Sequence, residues 1–188
     1  GAFIALAYAA RNPETVAGLI LLNPMAVSKD AHETFVKNVN SRNEKLNDHY
    51  DADVAAAQKK FAEVAGVAKS EAFIAWMRCY LPAYFKNPEK LKSLELKLPK
   101  VEALDSVLSD FWTWFDGGRF LQGLDQLTMP VLMVHSDCDP IPFEATKELF
   151  CAEIERFEFK MLRDCGHFPW VENAEQVSAA ISEWVKNI

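Results

Sequence analysis

Three short stretches of the sequence have the hydrophobic pattern of β-strands. Residues 16–22 and 131–135 are continuous apolar runs, and the first of them ends at Asn23-Pro24. Apolar runs of this length, bounded by turn residues, are typical of strands buried on both faces of a parallel sheet. Residues 156–162 alternate apolar and polar side chains, which also favours a strand.

The rest of the pattern has the spacing of helices. Residues 1–12 are rich in strong helix formers, and this helix is expected to stop before Pro13, because proline disfavours helix in the residue preceding it. Between the first two strands, the pattern predicts helices over 30–47, 52–65, 70–85 and 103–115, with a short helix and a linker over 86–100. Pro82 is expected to kink or end the helix in which it falls.

Two more helices are predicted after the second strand. They cover residues 143–150 and 172–186, and the apolar face of the last comprises Val177, Ile181, Trp184 and Val185. The order of elements is helix, strand, helical insertion, strand, helix, strand, helix. This order predicts an α/β fold with a mostly parallel sheet, interrupted by a helical lobe.

The composition argues against nucleic-acid binding and against a membrane span, but it identifies no binding partner. The 188 residues carry a formal net charge of -7, and no basic stripe is present to neutralise nucleic-acid phosphates. No apolar run approaches the ~20 residues of a membrane span. The four histidines are scattered and no glycine-rich phosphate loop occurs, so neither a metal nor an organic cofactor is implied.

The four cysteines have spacings that fit neither a zinc site nor a dense disulfide framework. Reduced thiols in a cytoplasmic protein are the favoured interpretation. Cys138 and Cys165 each lie close to a candidate catalytic residue, so they are expected to be neighbours, and a disulfide between them is not favoured.

The residues with the clearest chemistry are Asp139 and His167. Each follows a predicted strand, and the carboxyl ends of parallel strands form the edge at which α/β sheets bind ligands. A histidine base oriented by a buried carboxylate is the acid–base part of a Ser-His-Asp triad, and the chain order acid then histidine fits that arrangement. Asp137, and less strongly Asp164, are the alternatives for the acid.

The other three histidines are assigned no chemistry. His135 lies at the end of a predicted strand and is expected to be structural. His32 and His49 fall in the helical lobe and are expected to face solvent.

Two loop motifs resemble those of α/β-hydrolase-fold enzymes. Residues 136–140 (Ser-Asp-Cys-Asp-Pro) resemble the Gly-x-x-Asp-Pro acid loop, with Ser136 in place of the glycine. Residues 165–172 (Cys-Gly-His-Phe-Pro-Trp-Val-Glu) resemble the Gly-His-Phe-Pro histidine loop, and residues 1–14 are similar to the helix that follows the nucleophile elbow. The resemblance implies a hydrolase core over residues 1–25 and 121–188, with a helical cap over 26–120.

The resemblance also implies where the nucleophile belongs. Gly1 corresponds to the last glycine of the Gly-x-Ser-x-Gly elbow, so the serine is expected two residues before Gly1, and the oxyanion-hole amides are also expected outside the chain. We therefore expect this C-terminal part of the fold to be inactive and poorly soluble by itself, because a sheet edge and apolar faces would be uncovered.

Within this superfamily, the sequences of both loops are most similar to those of proline iminopeptidase-type enzymes, which act on short peptides. Those enzymes hold the substrate amine with acidic cap groups, for which the candidates are Glu33, Glu44, Glu63, Glu71, Asp105 and Asp110. Seven aromatic residues of the insertion either line a pocket under the cap or pack between cap helices. They are Trp76, Tyr80, Tyr84, Phe111, Trp112, Trp114 and Phe115.

Several alternatives stay open. A carboxylesterase or lipase-like hydrolase of small-molecule substrates is the nearest. Epoxide hydrolases and dehalogenases would use an aspartate nucleophile. A non-catalytic ligand sensor or an interaction module would use the same fold without chemistry, and the oligomeric state stays open.

Overall fold

The computed structural model describes residues 1–25, 28–97 and 100–188, excluding the side chains at 101, 102, 104, 105, 107 and 108. The α-helices are α1 (Ala2–Arg11), α2 (Lys29–Leu46), α3 (Tyr50–Glu63), α4 (Val67–Tyr80), α5 (Val101–Asp116), α6 (Glu144–Glu153), α7 (Pro169–Glu172) and α8 (Ala174–Val185). The strands are β1 (Leu19–Leu22), β2 (Val131–Ser136) and β3 (Phe157–Leu162). Short 3-10 helices cover Pro13–Thr15, Leu81–Tyr84, Pro88–Ser93, Arg119–Leu121 and Leu124–Gln126.

The three strands form one parallel sheet in the order β1-β2-β3. All six residues of β2 are buried, as expected for the central strand of a sheet covered on both faces. Leu19 pairs with Val131, which in turn pairs with Phe157. This register brings the three carboxyl ends of the strands to one edge of the sheet. The three predicted strands and their parallel arrangement are thus confirmed.

β1 is shorter than the apolar run that predicts it. The strand begins at Leu19, whose N–H donates to the carbonyl of Pro130 at 2.9 Å, because β2 offers no partner further back. Among the residues that the structure describes, no strand pairs with the outer edge of β1. Ile4 and Tyr8 on α1 are more than half exposed.

The core lies on both faces of the sheet. On one face, α1 contributes Leu6 and Ala9, which pack with Val131 and Met133 of β2. On the other face, α8 packs against Leu132, Val134 and Leu162.

The predicted apolar face of α8 is correct except at its end. Val177 and Trp184 are buried and Ile181 is partly buried, whereas Val185 is 51% exposed and Ala180 is buried instead. Val185 is the last residue of α8.

The segment between β1 and β2 is helical, as predicted. α4 ends at Tyr80, and Leu81–Tyr84 continue as a 3-10 helix with Pro82 in its first turn, so the proline ends the α-helix. The linker expected over 86–100 contains the 3-10 helix Pro88–Ser93, and its residues 98 and 99 lie outside the described residues. The division into core and cap at residues 25 and 120 stays a prediction.

The histidines of the helical segment differ in their environment. His49 is exposed, as predicted. His32 is only partly exposed: its ring packs edge-on against Trp112 at 5.0 Å and Phe115 at 5.8 Å, and its Nδ1 is buried. Burial lowers the pKa of His32. The prediction failed because α5 packs over the first turn of α2, a contact between distant segments.

Candidate active site

Asp139 and His167 meet at the carboxyl-terminal edge of the sheet. The Nδ1 of His167 donates a hydrogen bond to Oδ2 of Asp139 at 2.8 Å. The carboxylate is buried, whereas the histidine side chain is 22% exposed. With its proton on Nδ1, the neutral imidazole leaves the lone pair of Nε2 free, which is the form required of a general base.

The acid loop holds the carboxylate of Asp139 through its own backbone. Oδ1 accepts the N–H of Ile141 at 2.9 Å, and the N–H of Asp139 donates to the carbonyl of Ser136 at 3.1 Å. Both oxygens are therefore engaged, one by the loop and one by the histidine. A carboxylate fixed in this way holds its imidazole partner in one orientation.

The alternative acids have different surroundings. Asp137 lies 3.9 Å from the guanidinium of Arg163. Asp164 is exposed and its backbone has a φ of +55°, so it serves as a left-handed turn residue. His167 hydrogen-bonds to neither of them among the contacts of the described residues.

His135 is fully buried behind the acid loop. Its Nε2–H donates to the carbonyl of Ile141 at 3.1 Å and lies 3.9 Å from Oδ2 of Asp139, while its Nδ1 has no partner among the described residues. Burial lowers the pKa of His135, against the opposing effect of the Asp139 charge. A neutral His135 therefore supports the loop that carries Asp139, which agrees with the structural role expected for it.

Asn23, at the end of β1, connects the ends of all three strands. Its Oδ1 accepts the N–H of Ser136 at 2.8 Å, and its Nδ2 donates to the carbonyls of Gly166 at 3.2 Å and His167 at 3.0 Å and to Oγ of Ser136 at 3.1 Å. Asn23 is buried and has a φ of +43°, a conformation that asparagine tolerates better than most residues. From the sequence, Asn23 marks only the end of a predicted strand, and its one distinguishing signal is the Asn-Pro pair that follows the apolar run.

The histidine loop is clamped against the segment that follows α4. The N–H of His167 donates to the carbonyl of Tyr84 at 2.6 Å. A Cβ on Gly166 would lie 2.2 Å from that carbonyl oxygen and 2.9 Å from Cα of Phe85. Only glycine permits this approach, which places the histidine backbone directly against the helical segment.

Glu172 ties the same two segments together. Its carboxylate accepts the N–H groups of Gly166 at 2.6 Å, Asn87 at 2.8 Å and Lys86 at 3.2 Å. Hydrogen bonds to an ionised acceptor are stronger than neutral ones. Glu172 belongs to the motif of the histidine loop, yet its role was not apparent from the sequence.

Tyr84 also covers one side of the histidine ring. The two rings pack edge-on with centroids 5.3 Å apart, and Phe168 packs against both. Burial raises the pKa of the Tyr84 phenol, and the nearby charge of Asp139 raises it further. The phenol therefore stays neutral throughout the physiological pH range.

A cavity of about 590 Å³ opens beside His167. Its lining is mainly apolar and includes residues 1–5, 20–23, Met25, Phe35, Tyr84, Phe111, Ile141, His167 and Trp170. No carboxylate belongs to this lining among the residues that the structure describes. Two members of the predicted aromatic group, Tyr84 and Phe111, are thus brought to the site.

The other aromatic candidates pack elsewhere. Trp76 and Tyr80 pack with each other and Trp76 contacts Phe61, so they join α3 to α4. Trp114 packs against Phe120, Trp112 packs against His32, and Phe115 packs against Phe3.

The acidic candidates whose side chains the structure describes do not line the cavity. Glu33 and Glu44 line a separate groove on α2, and Asp110 lies in another pocket beside α1. Glu63 and Glu71 are exposed. The side chain of Asp105 lies outside the described residues.

Cys138 and Cys165 are neighbours through their backbones, as expected. The N–H of Cys138 donates to the carbonyl of Cys165 at 3.1 Å, and both thiols are free. Burial raises the pKa of each thiol, so neither is activated as a nucleophile.

The arrangement provides an oriented base facing an apolar cavity. Nε2 of His167 has no hydrogen-bond partner within the described ranges, and no serine there contacts it. In the same ranges, no three side chains of histidine, cysteine, aspartate or glutamate converge as metal ligands, and no helix is long and apolar enough to cross a membrane.

A family model described as "alpha/beta hydrolase fold" matches residues 1–174. A comparison with curated protein sequences gave no match. The match with the family model includes α1, the helical segment, both candidate loops and all three strands.

Solved structures share the fold at low sequence identity. An alpha/beta hydrolase enzyme, MGS-M2, from a Medee basin deep-sea metagenome library is 17% identical, with a TM-score of 0.55 over 99% of this chain and 62% of that one. Cfl2 from Burkholderia cenocepacia is 20% identical, with a TM-score of 0.54 over 98% of this chain and 62% of that one. A proline iminopeptidase from Mycobacterium smegmatis is 13% identical, with a TM-score of 0.52 over 100% and 62%. The chain thus spans less than two thirds of each of these structures, and the likeness concerns the fold.

Proposed function

The chain belongs to the alpha/beta hydrolase family, and from that premise we propose that it carries the acid and the base of a serine-type hydrolase. The observation that carries the proposal is the 2.8 Å hydrogen bond from His167 to buried Asp139 at the mouth of an apolar cavity. The fold alone would not distinguish an enzyme from a ligand sensor. An oriented imidazole with a free Nε2 favours the enzyme.

In the proposed reaction, Nε2 of His167 removes the proton of a serine hydroxyl as its oxygen attacks the acyl carbon. The imidazolium, stabilised by Asp139, then protonates the leaving oxygen or nitrogen, and an acyl-enzyme remains. Water repeats both steps and releases the acid. Residues 1–5 contain no serine but line the same cavity as His167, which supports the proposal that the serine lies two residues before Gly1.

We propose esters with an apolar acyl group as the preferred substrate class. The cavity lining is mainly apolar, which suits an acyl chain, and among the described residues it holds no carboxylate to pair with a free amine. An aminopeptidase would need a carboxylate at the cavity to bind the substrate's free amine. None of the acidic candidates with described side chains lines the cavity. The ester hydrolase is therefore favoured over the aminopeptidase.

The helical segment over residues 26–120 is the proposed cap of the enzyme. Phe35, Tyr84 and Phe111 reach from this segment to the cavity that His167 faces. Substrate choice is expected to depend on these aromatic side chains, because they line the cavity beside His167.

Steady-state kinetics of the full-length protein test the function. We expect turnover of p-nitrophenyl butyrate, little turnover of proline p-nitroanilide, and loss of activity in His167→Gln. Covalent labelling by a fluorophosphonate would locate the serine nucleophile. Preferred hydrolysis of the proline anilide would overturn the ester assignment, and undiminished turnover in His167→Gln would overturn the mechanism.

A further inference from the structure

Two side chains of α2 hold the backbone on either side of Asp139. Nδ2 of Asn38 donates to the carbonyl of Pro140 at 2.9 Å, and Nη1 of Arg42 donates to the carbonyl of Cys138 at 2.7 Å. The two donors are four residues apart, so they lie on one face of the helix. Together they bracket the acid at the residue before it and the residue after it.

The side chains of Asn38 and Arg42 give hydrogen-bond partners to the carbonyls of Pro140 and Cys138, which lie beyond the end of β2. Pro140 has no N–H and so cannot donate a backbone hydrogen bond, and β2 ends at Ser136, before the acid loop begins. The N–H groups of Cys138 and Asp139 donate to Cys165 and Ser136. The two carbonyls therefore obtain their partners from outside the sheet.

Arg42 also reaches towards the histidine loop. The same Nη1 donates to the carbonyl of Ala83 at 3.2 Å, next to Tyr84, whose carbonyl accepts the N–H of His167 at 2.6 Å. One guanidinium thus connects the acid loop to the segment that holds the base. Its charge strengthens both hydrogen bonds.

We propose that Asn38 and Arg42 are positioning residues that set the orientation of Asp139 relative to His167 from the helical segment. Neither side chain lines the cavity beside His167, so neither touches the substrate. They act through the two carbonyls that bracket the acid. The kinetic consequence rests on the proposed function, whereas the effect on the hydrogen bond between Asp139 and His167 does not.

Kinetics of the full-length protein form the first part of the test. A misplacement of about 1 Å at a reacting group can reduce turnover roughly 100-fold. We therefore expect Arg42→Ala and Asn38→Ala to lower kcat about 10- to 100-fold with KM unchanged, and added guanidinium to restore part of the kcat of Arg42→Ala. Arg78→Ala, an exposed arginine on α4, is the matched control and should keep the wild-type kcat.

Proton NMR forms the second part and needs no turnover. The proton between Nδ1 of His167 and Asp139 should give a downfield signal in the wild type and in Arg78→Ala. The signal should shift or broaden in Arg42→Ala and Asn38→Ala and disappear in Asp139→Asn. Arg42→Lys, a milder change that keeps the charge, should give an intermediate result.

The two parts separate failure of this inference from failure of the proposed function. A changed NMR signal in the Arg42 and Asn38 variants of a protein that hydrolyses no ester would support the positioning role and refute the function. An unchanged signal and unchanged kcat in the double variant would overturn the positioning role. Loss of kcat together with a raised KM and no rescue by guanidinium would also overturn it, since that would indicate general damage.

Discussion

Replacing Gly166 by alanine tests how the base is held. The added Cβ would lie 2.2 Å from the carbonyl oxygen of Tyr84, about 1.2 Å short of the 3.4 Å at which ordinary contact begins. The three nearest atoms, in Tyr84, Phe85 and Lys86, all belong to the backbone, so the histidine loop or the segment at Tyr84 must move. Overpacking of this kind costs about 1–3 kcal/mol, and for a chain of this size each kcal/mol lowers Tm by roughly 2–4 °C.

The same displacement should affect turnover, because the N–H of His167 donates to the carbonyl that the new methyl group would strike. We expect Gly166→Ala to reduce kcat roughly 100-fold, measured with p-nitrophenyl butyrate, alongside the lower Tm from calorimetry. Gly117→Ala is the milder comparison, because its nearest contact of 3.2 Å requires only a small displacement and its φ of -82° suits alanine, and it should keep the wild-type kcat. Wild-type kcat and Tm in Gly166→Ala would refute the close approach of these two segments.

Three further predictions concern stability, each measured by urea unfolding of the full-length protein. Asn23→Ala should cost at least about 2 kcal/mol, because it leaves the buried N–H of Ser136 and two carbonyls without partners; a change below about 0.5 kcal/mol would contradict this role. Glu172→Gln should cost about 1–3 kcal/mol through its three backbone donors, whereas the exposed control Glu175→Gln should cost less than about 0.5 kcal/mol. The lowered pKa of buried His135 means that the unfolded chain binds more protons below pH 6.5. The free energy of unfolding should therefore fall as the pH drops below 6.5, and it should fall less steeply in His135→Gln than in the wild type. Equal slopes of unfolding free energy against pH in the two proteins would contradict a neutral His135.

The elements and their order followed from the sequence because the signals are local. The two apolar runs marked β1 and β2, and Pro82 marked the end of α4. Asp139 and His167 could be paired because both follow strands whose carboxyl ends share one edge of the sheet. These elements and the pairing of Asp139 with His167 are predictable because each depends only on a short segment of sequence and on the parallel topology of the sheet.

The supports of the site could not be predicted in this way. Asn23, Arg42 and Glu172 each bind backbone groups of segments that are distant along the chain, so no spacing or periodicity marks them. The packing of His32 against α5 and the exposure of Val185 likewise depend on how the helices pack in the folded chain. Such contacts are set by tertiary structure, which overrides local pattern.

The most direct test of the account compares Asp139→Asn with Asp137→Asn in the full-length protein. Asparagine can still accept the N–H of Ile141, but it cannot stabilise the imidazolium of His167, so Asp139→Asn should lower kcat for p-nitrophenyl butyrate about 10⁴-fold with a nearly unchanged Tm. Asp137→Asn, on the same loop but paired with Arg163, should keep the wild-type kcat. Wild-type turnover in Asp139→Asn, or a loss confined to Asp137→Asn, would contradict the proposal that Asp139 and His167 are the acid and base of a hydrolase.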